Sequence, residues 1–310
     1  MKKIPVVFCF DDNWVMPAGV SITSLLESAR PDTFYDIFIL HDQRASYPTA
    51  GILERLHDKY TNFNITYRNV GKQFQEAFEI RGITVPAYYR LLIPELIPEY
   101  DKIMYHDVDV IFRCDLSEIY GTTEMSDYYI AGVLSPGLFN KKVTQRRIDL
   151  GLDPKNYILS GNLIFNSALL REDKVVSRFK EEAKNNYVHQ DMDVINLVCK
   201  GKVKVLSPVF CGTIELFKLA THKIEQSLYN LDELLDMQQW GIVHYNGPKP
   251  WNGWCPNFDI WWEYYRKSIY YDSKFYFNFF YAKLEEYDRL SLWQRVKLLV
   301  RYFKTRGIKK

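Results

Sequence analysis

The chain predicts an α/β fold built on a mostly parallel sheet. Three observations carry that reading: a continuous apolar run at Val6–Phe10, repeated alternation of short apolar runs with helical spacing, and one long apolar segment interrupted only by two acids. Val6–Phe10 has the pattern of a strand covered on both faces, and Val20, Leu25, Leu26 and Ala29 follow at helical spacing. Tyr35 to Leu40 repeats the strand signal, and Ile52, Leu53 and Leu56 recur as on a helix. Phe63 to Tyr67 alternates as a strand and stops at Gly71. Ala87 to Ile97 reads as helix in spite of Pro94, and Lys102 to Phe112 as a long apolar strand interrupted by Asp107 and Asp109. Further strands are expected at Tyr129–Val133, Asn162–Phe165 and Val203–Leu206.

From Trp251 the composition changes: 16 of the 37 residues to Tyr287 are Phe, Tyr or Trp. Between Arg289 and Lys310 lie eight basic residues and no acidic one. The expected organisation is therefore a main domain at 1–250, an aromatic segment at 251–288 packed on it, and a basic amphipathic tail at 289–310.

Composition excludes several classes. Forty basic against 38 acidic residues leave a formal charge of +2, without the basic excess of a nucleic-acid-binding protein. Cys9, Cys114, Cys199, Cys211 and Cys255 are odd in number, widely spaced and free of C-x-x-C, which argues against a disulfide framework or a zinc knuckle and for a reducing compartment. The apolar run after Met1-Lys2-Lys3 is too short for a signal peptide. No stretch approaches the ~20 apolar residues of a spanning helix. A cytoplasmic, water-soluble body is expected.

Two clusters carry chemistry. In an extended chain, Asp107 and Asp109 point to one side while Val108 points away. Two carboxylates about 5 Å apart at an effective dielectric of about 20 repel by about 3 kcal/mol, and a divalent cation converts that cost into attraction. The other reading is a solvated loop pair, but the flanking apolar residues place the acids at the end of a buried strand, where open α/β sheets bind ligands. Farther on, a short strand delivers His244 to a turn at Gly247-Pro248, followed by Lys249 and Trp251. An imidazole suits a borderline cation such as Mn²⁺ and an ammonium suits a phosphate. Taken singly, His244 is equally a structural histidine and Trp251 a core residue.

Together these residues resemble the retaining, metal-dependent glycosyltransferases of family 8, over Val6 to about Trp262. The resemblance implies a GT-A nucleotide-sugar fold, a UDP-sugar donor and Mn²⁺ (or Mg²⁺). It places the nucleotide on Asp11, Asp12, Asn13 and Trp14, and a donor contact on Arg90 of Tyr88-Tyr89-Arg90-Leu91. It makes Asp107, Asp109 and His244 the metal ligands, with Val108 beside the donor and Gly247 and Lys249 on the diphosphate. Three departures stand out. One residue, Pro248, separates Gly247 from Lys249 where the family has two. The family's N-x-G is Leu159-Ser160-Gly161 with Asn162 after it, so the donor contacts here fall on Ser160, Gly161 and Asn162. The family's D-Q-D is Asp191-Met192-Asp193, which leaves Asp191 to hold the sugar and stabilise an oxocarbenium-like centre, with Gln190 as substitute for the missing Gln or a front-face route without it. Asp191 is also placed to cap the helix before Val194, Ile195 and Val198.

The implied activity is transfer of a hexose, galactose or glucose, with retention to a saccharide or lipid-linked glycan acceptor, in lipopolysaccharide or other surface-glycan synthesis. The alternatives are a phosphohydrolase of the haloacid dehalogenase type, since Asp11 and Asp12 also end the first strand, and a scaffold that keeps the fold without turnover. In the tail, Leu292, Val296, Leu299, Val300 and Phe303 share one helical face among Arg295, Lys297, Arg301 and Lys304. This suits an anionic membrane surface, on the inner face of the plasma membrane, or packing against the body. The aromatic block is read as core, with an acceptor groove as the other use of its rings.

Overall fold

The computed structural model describes residues 2–74, 85–221 and 228–306, with side chains to 300. Its centre is a seven-stranded sheet in the order β3-β2-β1-β4-β7-β6-β8. The strands are β1 (Lys2–Cys9), β2 (Thr33–His41), β3 (Phe63–Asn69), β4 (Lys102–His106), β6 (Ile130–Leu134), β7 (Ile158–Asn166) and β8 (Val203–Val205). β1 pairs in parallel with β2 and β4, β2 with β3, and β6 with β8; β7 alone runs against its neighbours. The apolar runs that read as doubly covered strands are buried: Val6, Val7, Phe8, Ile37, Ile39, Ile103, Met104, Leu163 and Ile164 are all within 1% of complete burial.

The chain lays down β2 and β3 on one side of β1, then returns to place β4 on the other. The order reverses between β1 and β4, and open α/β sheets bind ligands beyond the carboxyl ends of their strands at such a reversal. Asp11–Trp14 follow β1 and Asp107–Asp109 follow β4, so topology alone brings the two sequence clusters to one mouth.

One expectation is corrected here. The segment 102–112 is not one strand: it breaks after His106, and β5 (Val110–Ile111) leaves the main sheet to pair antiparallel with β9 (Val243–His244). The helix expected from Ala87 to Ile97 is present, as a 3-10 helix, Val85–Leu92, and then a single α-turn, Ile93–Leu96, which Pro94 opens. Proline fits a first turn because the amide it lacks has no partner there.

The aromatic segment divides by face. Helix Phe258–Lys267 buries Trp261, Trp262 and Tyr265 against the body. The ring of Tyr270 lies on Gly19 of helix Val15–Glu27, so close that a Cβ there would sit 1.9 Å from it. Helix Ser273–Asp288 packs Phe279 and Phe280 against Trp262 and turns Phe277, Tyr281 and Leu284 outward. In helix Leu292–Arg306, Leu292, Trp293, Val296, Leu299 and Val300 are exposed. The side chains of Arg301, Phe303 and Lys304 lie outside the described residues. No described helix is long and apolar enough to cross a membrane.

Candidate active site

The break after β4 assembles the site. Because β5 pairs with β9 with Val110 opposite His244, and Tyr245 N donates to Asp109 O (2.9 Å), the imidazole is delivered beside the acids. Single ligand atoms of Asp107, Asp109 and His244 lie within 4.8 Å of one another. His244 Nε2 is 3.6 Å from Asp107 Oδ2 and 3.3 Å from Asp109 Oδ1.

Each carboxylate is held by its other oxygen. Asp107 Oδ1 accepts from Tyr105 OH (2.5 Å) and pairs with Arg90 Nη2 (3.0 Å). Asp109 Oδ2 pairs with Lys249, whose ammonium also donates to Tyr245 O (2.6 Å). Three hard or borderline donor atoms thus converge, with an ammonium already drawn to one of their acids. That donor set fits Mn²⁺ or Mg²⁺.

Arg90 is a buried clamp, 4% exposed. It donates to Ala87 O (2.7 Å) and Ser160 O (2.6 Å), pairs with Asp107 and with Asp191 (3.4 Å), and stacks over Tyr105 at 4.4 Å. It therefore ties the acidic turn to helix Gln190–Val198. His189 occupies that helix's N-cap position, so Asp191 sits in the first turn rather than capping it. Burial pushes the Asp191 carboxyl up, against the opposing field of Arg90. Gln190 is buried with φ +41°.

On the β1 side, Asp11 Oδ1 accepts from Asn13 N (2.9 Å) and Asp12 holds Ser46 and Tyr47. Asp11, Asp12, Asn13, Asp42 and Arg44 line a cleft of about 380 Å³, within the usual range of small-ligand sites. Trp14 meets the edge of Trp251 at 5.8 Å and lies 5.7 Å from Lys249 Nζ, joining the nucleotide-side cluster to the lysine loop. Val108 is buried, and Gly247 is exposed in the turn before Lys249.

The family model for glycosyl transferase family 8 matches residues 5–255. The chain belongs to glycosyltransferase family 8. General stress protein A of Bacillus subtilis is 24% identical, over 80% of this chain and 87% of its own. A lipopolysaccharide 1,2-glucosyltransferase of Escherichia coli is 23% identical, over 79% and 72%. Among solved structures, the galactosyltransferase LgtC with donor and acceptor sugar analogues superposes with a TM-score of 0.72 at 24% identity, over 87% of this chain and 98% of that one. The bifunctional glycosyltransferase WbbM superposes at 0.75 and 21%, over 88% of this chain and 51% of that longer one. These neighbours share the GT-A fold, and the match disfavours the phosphohydrolase alternative.

In this family-8 glycosyltransferase, strand β7 carries two of the residues expected at the donor, Gly161 and Asn162. Asn162 is fully buried, with its amide between His106 and Cys211 and not in the crevice. Gly161 lies beneath the acidic turn: its carbonyl accepts from Asp107 N (2.7 Å), and a Cβ there would stand 2.3 Å from His244 Cε1. Sequence reasoning missed Tyr105, although it shares a strand face with Asp107 two residues on. It also missed Cys211, which no spacing marks.

Burial opposes charge on Asp109 and His244, but their charged neighbours outweigh it. Lys249 and His244 hold the Asp109 carboxyl well below its usual range. Asp109, with Cys211 behind it, holds the imidazole well above its ordinary 6.5. A raised folded-state pKa means that this ion pair stabilises the metal-free protein fully below about pH 6.5 and is lost as pH rises through the folded value. A cation on Nε2 must displace that proton. The apparent affinity for Mn²⁺ is therefore expected to rise with pH across about pH 6 to 8, approaching about tenfold per unit. Calorimetry in buffers across that range checks it, and a flat affinity contradicts it.

Proposed function

We propose that this protein transfers galactose or glucose from a UDP-sugar to a saccharide or lipid-linked glycan acceptor, with retention of anomeric configuration. The carrying observation is the convergence of Asp107, Asp109 and His244 beside Lys249, at the mouth shared with Asp11–Trp14. A divalent cation held by the three ligands, Mn²⁺ or Mg²⁺, would supply positive charge to the departing diphosphate. Lys249, whose ammonium lies beside Asp109, would meet the β-phosphate, where negative charge grows in the transition state. Asp191 holds sugar hydroxyls and stabilises the cationic sugar, with Gln190 beside it in the same turn. The lipopolysaccharide 1,2-glucosyltransferase among the relatives supports a role in surface-glycan synthesis.

A screen of UDP-sugars with Mn²⁺, reading UDP release with and without glycan acceptors, tests the reading. Release from UDP-galactose or UDP-glucose is the expected result. UDP binding with no release from any donor would favour the non-catalytic scaffold.

The same reading places the protein in the cytoplasm, held at the inner face of the plasma membrane by its tail. The exposed Leu292, Trp293, Val296 and Leu299 support it, since basic residues near an anionic surface contribute about 1 kcal/mol each. Truncation after Tyr287 is expected to lower sedimentation with phosphatidylglycerol vesicles by about tenfold or more. Unchanged sedimentation would count against the anchor.

A further inference from the structure

Behind His244, on the side away from the carboxylates, a line of polar side chains crosses an otherwise apolar core. His244 Nδ1 is 3.4 Å from Cys211 Sγ. The same sulfur accepts a hydrogen bond from Asn162 Nδ2 (3.0 Å), and Asn162 Oδ1 lies 2.6 Å from His106 Nδ1. His106, Asn162 and Cys211 are completely buried, and His244 is 6% exposed. The rings of Phe112 and Phe210 close on His106 at 4.8 and 5.2 Å.

The fold sets this line at each step. His106 and Asn162 are register partners across β4 and β7. Cys211 ends the 3-10 turn Pro208–Phe210. Gly212, next to it, accepts from His244 N (2.9 Å), which docks β9 beside the sulfur.

A buried polar group without a partner is costly; each of these side chains has at least one partner within the line, and His106 Nε2, at its far end, is buried without one. What the line can do follows from imidazole chemistry. For Nε2 to present a lone pair toward the acids, the proton must sit on Nδ1, and a proton on Nδ1 needs an acceptor. Cys211 Sγ is the atom facing it. Asn162 takes up another direction of the same sulfur, while its own carbonyl, facing His106, fixes which way the amide points.

We infer that Cys211, oriented by Asn162, is a positioning residue that holds His244 with its proton on Nδ1 and Nε2 aimed at the cation site. The inference rests on the proposed metal-dependent function. It also gives Asn162 a task in the core in place of a contact with sugar.

Full-length Cys211→Ala and Cys211→Val remove the acceptor, the first by leaving a small void and the second by adding about one methyl group. Cys211→Ser retains it, and Cys199→Ala alters an equally buried cysteine elsewhere. Mn²⁺ binding to each protein without nucleotide is read from the free-ion paramagnetic resonance signal, and thermal midpoints are read without metal. Both acceptor-free variants are expected to bind Mn²⁺ about 10–100-fold more weakly, with Cys211→Ser recovering to within about threefold of the parent and Cys199→Ala unchanged. In the Zn²⁺-loaded parent, two-bond ¹⁵N–¹H spectra are expected to show the His244 proton on Nδ1. Retained affinity in a folded Cys211→Ala or Cys211→Val protein overturns the inference, as does a Cys211→Ser variant as weak as they are. Should the parent itself fail to bind Mn²⁺, the metal-dependent function falls, and this inference with it.

Discussion

Asp109→Asn is expected to remove metal-dependent UDP affinity and to lower transfer by about 10²–10³-fold or more, the loss typical of deleting one electrostatic stabiliser. Asp109 faces both His244 and Lys249. The amide keeps the shape but presents no charge to a cation, and half of its faces become donors. Without the carboxylate the imidazole loses the largest of the effects that hold its pKa up, while Lys249 is already partly exposed and can turn to water. The fold is therefore expected to survive, with a far-ultraviolet spectrum like that of the parent. Full activity in the variant would remove the cation from the reaction.

Gly161→Ala is the second large effect, and it acts through space. The added methyl would stand 2.3 Å from His244 Cε1 and 2.7 Å from Asp107 Oδ2, where carbon atoms need well over 3 Å. Gly161 cannot retreat easily, because it lies in β7 and its carbonyl holds Asp107 N. His244 and Asp107 must part. Mn²⁺ affinity is expected to fall about 10–100-fold, and stability by about 1–3 kcal/mol from overpacking. Calorimetric titration with Mn²⁺ and denaturant unfolding measure the two separately. An affinity equal to that of the parent would show that the ligands need not stand where the structure puts them.

Most of the main sheet was legible because β1, β2, β4 and β7 are doubly covered and so carry unbroken apolar runs. The location of the site was legible too, since acids at the ends of Val6–Phe10 and Ile103–His106 mark the strand ends where an open sheet binds ligands. The geometry of Asp107 and Asp109 was not. An extended chain puts both on one face, but the partner of Val110 and Ile111 is Val243–His244, far along the sequence, and that pairing bends the chain out of the main sheet. Asn162 illustrates the same limit. Position after Ser160-Gly161 suggests the crevice, whereas the alternation of β7 turns its side chain to the other face, toward His106 and Cys211. The tail's apolar stripe was visible from spacing alone, because helical periodicity is local. The split of the aromatic segment into a buried face around Trp262 and an exposed one at Phe277 and Tyr281 depends on what it packs against, which spacing does not carry.

A crystal structure of the protein grown with UDP and Mn²⁺, with data collected at the manganese absorption edge, tests the central claim most directly. One anomalous peak within coordination distance of Asp107, Asp109 and His244 Nε2, and shared with both phosphates of the nucleotide, is the result expected. UDP bound beside Asp11–Trp14 with the three side chains carrying no metal, or an ion bound elsewhere, would contradict it.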